Sequence, residues 1–220
     1  MINNIKAAIF DLDGTLIDSM GVWVQIDIDY IKEIGYTEPV DLLELKKAIN
    51  HLSFDNTAKY FKEKFNIPQT SEEIGQRWNE MASDKYKNEI KLKEGVLEFL
   101  TELKNSGVKI GLATSNSYEL ATASLKSNNI FDLFDDITIT SEVSKGKNHP
   151  DVYLLSASRL NVEPKDIIVF EDIPTAVEGA KKGGFKVIGV HDSYSSHHNQ
   201  EMMDKSDMFI ESYTELLINN

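Results

Sequence analysis

Four apolar runs of strand length, Ile5–Phe10, Val108–Ala113, Ile167–Phe170 and Lys186–Val190, punctuate this chain, with a weaker fifth at Ile137–Ile139. Helical periodicity fills much of the sequence between them. Val96, Phe99, Leu100 and Leu103 recur at three to four residues, as do Phe54, Ala58, Phe61 and Phe65. Asn105-Ser-Gly107 and Lys181-Lys-Gly-Gly184 place glycine where a left-handed helix end is wanted, each directly before a strand. Strand–helix–strand alternation of this kind predicts an α/β fold, a doubly wound parallel sheet with helices on both faces.

The alternation is interrupted once. Between Asp18 and about Asn88 the patterns are helical and no convincing buried strand appears. Val22, Val24, Ile26, Ile28 and Tyr30 alternate like a strand, whereas Trp23, Ile26, Tyr30 and Ile34 fit a helix equally well. The length of the run, with Gly35 at its end, favours helix. The expected organisation is a core of residues 1–17 and 89–220 with a helical cap of residues 18–88 inserted after the first strand. No internal repeat or low-complexity linker is visible.

Composition narrows the function classes. Lys+Arg total 23 and Asp+Glu 36, a formal charge of −13, so a nucleic-acid partner held by a basic patch is disfavoured. The absence of cysteine removes disulfides, thiolate metal sites and cysteine nucleophiles. No apolar run approaches the roughly 20 residues of a membrane span, and Met1–Phe10 does not resemble a signal peptide. A soluble, cytoplasmic protein without a membrane partner, monomeric by default, is the expectation.

The chemistry concentrates at the strand ends. The first run ends in Phe10-Asp11-Leu12-Asp13-Gly14-Thr15-Leu16-Ile17-Asp18-Ser19. Two carboxylates at i and i+2 beyond a buried strand are costly to hold together without a cation or proton between them, and Gly14 permits the tight turn that aims both at one crevice. Alone, an Asp-x-Asp turn is more often a helix cap. Here the string opens a series: Thr114-Ser115-Asn116 after the second strand, Gly146-Lys147-Asn148-His149-Pro150-Asp151 after the third and Phe170-Glu171-Asp172 after the fourth.

With these four motifs in order, the sequence resembles the haloacid dehalogenase superfamily, in the helical-cap branch of β-phosphoglucomutase and phosphoglycolate phosphatase. The resemblance implies a Rossmann-like core and a Mg²⁺-dependent phosphatase acting on a small phosphorylated metabolite. It makes Asp11 the nucleophile that carries an aspartyl-phosphate, and Asp13 the general acid and base. Thr114, Ser115, Asn116 and Lys147 would bind the transferring phosphate. Asp11, the backbone carbonyl of Asp13 and Asp172 would hold the metal, with Glu171 acting through a coordinated water. Asn148 stands where the family has a first proline, Ile173-Pro174 replaces a Ser-x pair and Ala176 a common glycine; no charged catalytic group is lost.

A phosphomutase is the alternative within the same resemblance. By an ungapped alignment, Trp23 and Phe54 stand where the β-phosphoglucomutases carry a cap His and a cap Arg, and both lack that chemistry. Arg77, the insert's sole arginine, reads as an exposed helix residue, and His197-His198 as an exposed loop rather than a metal tract. A haloacid dehalogenase does not need Asp13, a phosphonoacetaldehyde hydrolase needs a Schiff-base lysine in the cap, and a non-catalytic binding protein would not need all the charged groups.

Overall fold

The computed structural model describes residues 5–217; Met1–Asn4 of the N-terminal stretch weighed above lie outside the described residues. The described strands are β1 (Ala7–Phe10), β2 (Lys109–Thr114), β3 (Asp136–Ile139), β4 (Ile167–Glu171), β5 (Lys186–Val190) and β6 (Met208–Ile210). They form one sheet in the order β3-β2-β1-β4-β5-β6, and every pairing is parallel. The helices are α1 (Met20–Glu33), α2 (Leu42–Ile49), α3 (Phe54–Lys64), α4 (Ser71–Asn88), α5 (Val96–Asn105), α6 (Tyr118–Ser127), α7 (Asp151–Leu160), α8 (Pro174–Lys182) and α9 (Asn199–Lys205).

The strands read as continuous apolar runs because both faces of the sheet are covered. In β1, Ala7 and Ile9 point into a core shared with Val152 and Tyr153 of α7 and Val177 of α8. Ala8 and Phe10 point the other way, toward Phe99 and Leu100 of α5 and Leu120 of α6. Phe10 is level with Phe170 in the β1–β4 register, and the two rings stack at 4.5 Å. Burying each such side chain contributes about 1.5–3 kcal/mol. The short strand β6 is not among the predicted runs; at three residues it is too short to show a pattern, and it forms by pairing Met208 with Ile188 on the open edge of β5. Gly107 and Gly184 have φ of +76° and +84°, as their place after a helix requires.

Residues 20–88 fold into α1–α4 with no strand. The ambiguous first segment is a helix: Ile26, Tyr30 and Ile31 form its buried stripe, and Gly35 follows it with φ +73°. The next three helices begin at N-caps whose side chains take backbone N–H groups, Asp41, Ser53 and Thr70, the last in a reciprocal capping box with Glu73. Each cap contributes about 1 kcal/mol. Trp78 centres their packing, edge-on to Phe61 at 4.9 Å and to Tyr30 at 5.7 Å. Where the chain leaves and re-enters, its two passes run side by side: the Asp18 N–H donates to Lys91 O at 3.1 Å and the Lys93 N–H to Leu16 O at 2.9 Å. Among the described residues no helix is long and apolar enough to cross a membrane.

Candidate active site

In a parallel sheet all strands discharge their loops at one edge, so residues far apart in sequence meet there. Asp11 follows β1, Thr114 closes β2, Glu171 closes β4 with Asp172 next, and Lys147 comes from the loop between β3 and α7. Asp11, Lys147, Glu171 and Asp172 are all buried. The Lys147 ammonium donates to Asp11 Oδ1 and, at 2.7 Å, to Glu171 Oε1. The same Glu171 oxygen accepts the Tyr153 hydroxyl at 2.7 Å. One carboxylate oxygen from each of Asp11, Glu171 and Asp172 lies within 4.8 Å of the others.

Two glycines let the chain come this close. Gly14 has φ +84°, and a Cβ there would stand 2.4 Å from Asp172 Oδ2. A Cβ on Gly146 would stand 1.9 Å from the His51 carbonyl oxygen, the same oxygen that accepts the Lys147 N–H at 3.0 Å. The loop after α2 therefore touches the backbone of the buried lysine.

Charge in this pocket is not balanced by protein alone. Three carboxylates face one ammonium, leaving two negative charges, and Glu171 Oε2 and Asp172 Oδ2 are buried without a hydrogen-bond partner among the described residues. Burial pushes Glu171 up to about 7, with Lys147 pulling against it and Asp11 adding. Burial likewise drives Asp172 well above the usual carboxylate range, reinforced by Asp11 and Glu171. Burial by itself would lower Lys147, but Asp11 and Glu171 outweigh it and hold the ammonium above the ordinary lysine value. Orphaned anionic oxygens beside an all-oxygen donor set fit a hard divalent cation such as Mg²⁺.

Asp13 stands apart from this cluster. Its Oδ1 accepts the Ser19 hydroxyl at 2.6 Å, the Trp23 indole N–H at 3.4 Å and the Tyr86 hydroxyl. Its Oδ2 accepts the Asn116 amide at 2.8 Å. Tyr86 is the hub of this set, because its oxygen also accepts from Trp23 Nε1 at 2.6 Å and Asn116 Nδ2 at 2.9 Å. Burial and the nearby Asp11 charge raise the Asp13 pKa, while the Ser19, Tyr86 and Asn116 donors oppose them. A carboxyl so placed takes up a proton more readily than a free aspartate.

The remaining expected phosphate ligands divide. Thr114 Oγ1 accepts the Asn116 N–H at 3.0 Å, leaving the threonine's own proton to be donated. Ser115 Oγ is buried with no partner among the described residues. The Asn116 side chain serves Asp13, Tyr86 and the N–H of Ser117 instead of standing open. Beside Asp13 opens a cleft of about 190 Å³, walled by Trp23, Phe54 and Ile173 and reached by Ser115, Asp27 and Lys46. Arg77 does not line it and is half-buried rather than exposed, paired with Glu33 at 2.8 Å and Glu80 at 3.2 Å. His197 and His198 lie at the cleft's mouth, and neither joins the acidic group of Asp11, Glu171 and Asp172.

Sequence reasoning missed Tyr86 and the polar part of Trp23. Trp78, Ala82 and Tyr86 recur every fourth residue of α4 and are all buried, so the pattern reports a packed face and hides the hydroxyl. Thr15 and Ser19 stood inside the first motif without an assigned part; Thr15 Oγ1 lies 3.4 Å from Asp11 Oδ2 and 3.3 Å from Asp172 Oδ1.

Residues 8–190 match the sequence profile of the haloacid dehalogenase-like hydrolase family. A phosphorylated carbohydrates phosphatase of Thermotoga maritima is 30% identical over 84% of this chain and 84% of its own length. Hexitol phosphatase B of Escherichia coli K12 is 28% identical over 96% and 94% of the two chains. The structure of CbbY from Rhodobacter sphaeroides with xylulose-1,5-bisphosphate superposes with a TM-score of 0.85, covering 96% of each chain at 22% identity; that likeness shows a common fold.

Proposed function

Since the chain belongs to the haloacid dehalogenase-like hydrolases, we propose that it is a Mg²⁺-dependent phosphatase that cleaves a small sugar or polyol phosphate through an aspartyl-phosphate on Asp11, as a cytoplasmic monomer. Its enzyme class is phosphoric monoester hydrolase, in line with the phosphatases it is similar to. The observation that carries the reading is the buried Asp11, paired with Lys147 beside two acids whose outer oxygens have no protein partner. Asp11, the Asp13 carbonyl and Asp172 would hold Mg²⁺, with Glu171 acting through a water. The cation's contribution is charge neutralisation at the phosphoryl oxygens.

The protein's own groups account for the steps. Lys147 and the Thr114 hydroxyl orient and neutralise the phosphoryl oxygens. An Asp11 oxygen attacks phosphorus as the bond to the leaving oxygen breaks, and protonated Asp13 gives its proton to that oxygen. Water then attacks the aspartyl-phosphate, Asp13 takes its proton back, and phosphate leaves with Asp11 restored. Tyr86, Ser19, Trp23 and Asn116 hold the Asp13 carboxyl for both transfers. Residues 18–88 serve as a cap over the core of residues 1–17 and 89–220, excluding bulk water and shaping the leaving-group cleft.

The mutase alternative would need cations for a second phosphate; Trp23 and Phe54 bring none to the cleft, where Lys46 and Lys47 are the lysines that line it. β-Glucose 1-phosphate with a bisphosphate primer should yield phosphate or nothing, and no appreciable glucose 6-phosphate. Chelation should abolish phosphate release from an aryl phosphate, Mg²⁺ should restore it, and Ca²⁺ should restore little. Labelled phosphate should be trapped on Asp11. Full turnover after exhaustive chelation defeats the metal assignment, and label on any other residue defeats the mechanism.

A further inference from the structure

Two charged side chains project into the leaving-group cleft from different helices. Asp27 shares a face of α1 with Met20 and Trp23, and Lys46 comes from α2; all four line the cleft. Asp27 and Lys46 have no hydrogen bond or ion pair with any described residue, and they do not approach each other within 4.0 Å. They nevertheless sense one another. Burial pushes Asp27 up to about 7 against the pull of Lys46, and burial lowers Lys46 against the pull of Asp27, Asp192 and Asp172. Lys46 Nζ stands over the Tyr194 ring, 5.7 Å from its centroid, and a half-buried acid and base that line one cleft without a hydrogen bond of their own are placed to take a polar ligand group between them.

We propose that Asp27 and Lys46 read a hydroxyl group of the substrate, and that this pair selects phosphate monoesters of neutral polyhydroxy compounds over substrates carrying a second phosphate. A hydroxyl suits an acid and a base together, since it can donate its proton to a carboxylate and accept from an ammonium. A second phosphate satisfies Lys46 but sets a dianion against Asp27. Two further basic side chains that line the cleft face acids of their own: Lys47 lies 3.6 Å from Glu44 and His198 Nδ1 3.4 Å from Glu201. Burial, aided by His198 and the two lysines, depresses His197 below the usual histidine value, so it gives up its proton more readily than a free imidazole. The Trp23 and Phe54 rings, 6.1 Å apart, supply the apolar wall on which the C–H face of a polyol packs.

This inference rests on the phosphatase reading, and its test separates the two. The Mg²⁺-loaded enzyme is assayed for kcat/KM on glucitol 6-phosphate and other hexose and hexitol monophosphates, on fructose 1,6-bisphosphate, and on phenyl phosphate, which has no such hydroxyls. The wild type should prefer the best monophosphate over the bisphosphate by on the order of tenfold or more. Asp27→Ala and Lys46→Met should each lower the ratio of polyol phosphate to phenyl phosphate activity about 10- to 100-fold, the scale of one lost charged hydrogen bond. Asp27→Asn, which keeps the shape and removes the charge, should raise the bisphosphate relative to the monophosphate by roughly tenfold. A wild type that prefers bisphosphates, or ratios that none of the three variants moves, overturns the assignment of the pair. Failure of the wild type to release phosphate from every ester, phenyl phosphate included, overturns the phosphatase reading itself.

Discussion

The two walls of the active-site crevice are built on opposite principles. On the core side, Asp11, Lys147, Glu171 and Asp172 are charged, buried and packed against one another. On the helical side, Trp23 and Phe54 wall the cleft, with Asp27, Lys46 and Lys47 set among apolar neighbours such as Met20, Leu43 and Ile49. Concentrated charge suits a phosphoryl group, whose transfer depends on positioning and neutralisation. A sparse polar pattern on an apolar wall suits recognition of a leaving group, where orientation is decided by a few placed contacts. Asp13 joins the two, because its carboxyl belongs to the core loop yet takes Ser19, Trp23 and Tyr86 from the helical side.

The strongest way to break this contrast is to remove the proposed nucleophile. Asp11→Asn should reduce phosphate release by on the order of 10⁵-fold or more and eliminate the labelled phosphoenzyme for every substrate, good leaving group or poor. Turnover that survives in this variant would place the reacting group elsewhere.

Asp13→Asn should cost about 10²–10⁴-fold with an alkyl phosphate and distinctly less with an aryl phosphate, whose leaving oxygen needs little protonation. Metal binding, measured calorimetrically, should persist because the expected ligand at this position is the backbone carbonyl. Equal losses on both ester types would remove Asp13 from the acid role.

Tyr86→Phe sharpens the comparison by acting from the helical side on the core's chemistry. Losing one hydrogen bond to a carboxylate, of about 1.5–3 kcal/mol, should lower kcat about 10- to 100-fold on alkyl phosphates. Aryl phosphates should be less affected, in the same sense as Asp13→Asn. A loss independent of the leaving group would reduce Tyr86 to a packing residue.

The smallest effect is on stability. Asp27 is raised in the folded state from 3.8 to about 7, so the folded protein binds more protons than the unfolded chain between those values. The stabilisation is complete below about pH 4 and is lost as pH rises through 7. Asp27→Asn should therefore be more stable than the wild type at pH 8, by on the order of 1 kcal/mol or more, with the difference closing toward pH 4. Thermal unfolding at the two pH values checks this, and a difference that grows toward acid pH would contradict the buried, unpaired state of Asp27.

The charged wall was legible because each of its members follows a strand in a short motif. Once β1, β2 and β4 were recognised as parallel, Asp11, Thr114, Glu171 and Asp172 had to share an edge. Even the second turn of the first motif held more than was read there, since Thr15 and Ser19 prove to contact Asp11, Asp172 and Asp13. The recognition wall was not legible in the same way. Trp23 lacks the cation that a mutase cap carries there, yet its indole N–H is a donor to Asp13 and Tyr86. Tyr86 follows Trp78 and Ala82 at helical spacing, and that pattern signals burial without saying which neighbour its hydroxyl meets.

Local sequence thus determined the strands with four or more residues, the helical character of residues 20–88 and the residue types that carry the chemistry, because periodicity, glycine placement and motif spacing act within a turn or a strand. Tertiary structure alone decided that β6 pairs with β5, that the Asn116 amide turns to Asp13, that Tyr86 closes over the same carboxyl and that Asp27 and Lys46 face one cleft without meeting. The physical reason is range. A side chain's propensity depends on its neighbours in the chain, but the partner of a buried hydroxyl or the field at a buried carboxylate depends on groups brought together only by packing, here across 73 residues for Tyr86 and Asp13 and 103 for Asn116 and Asp13.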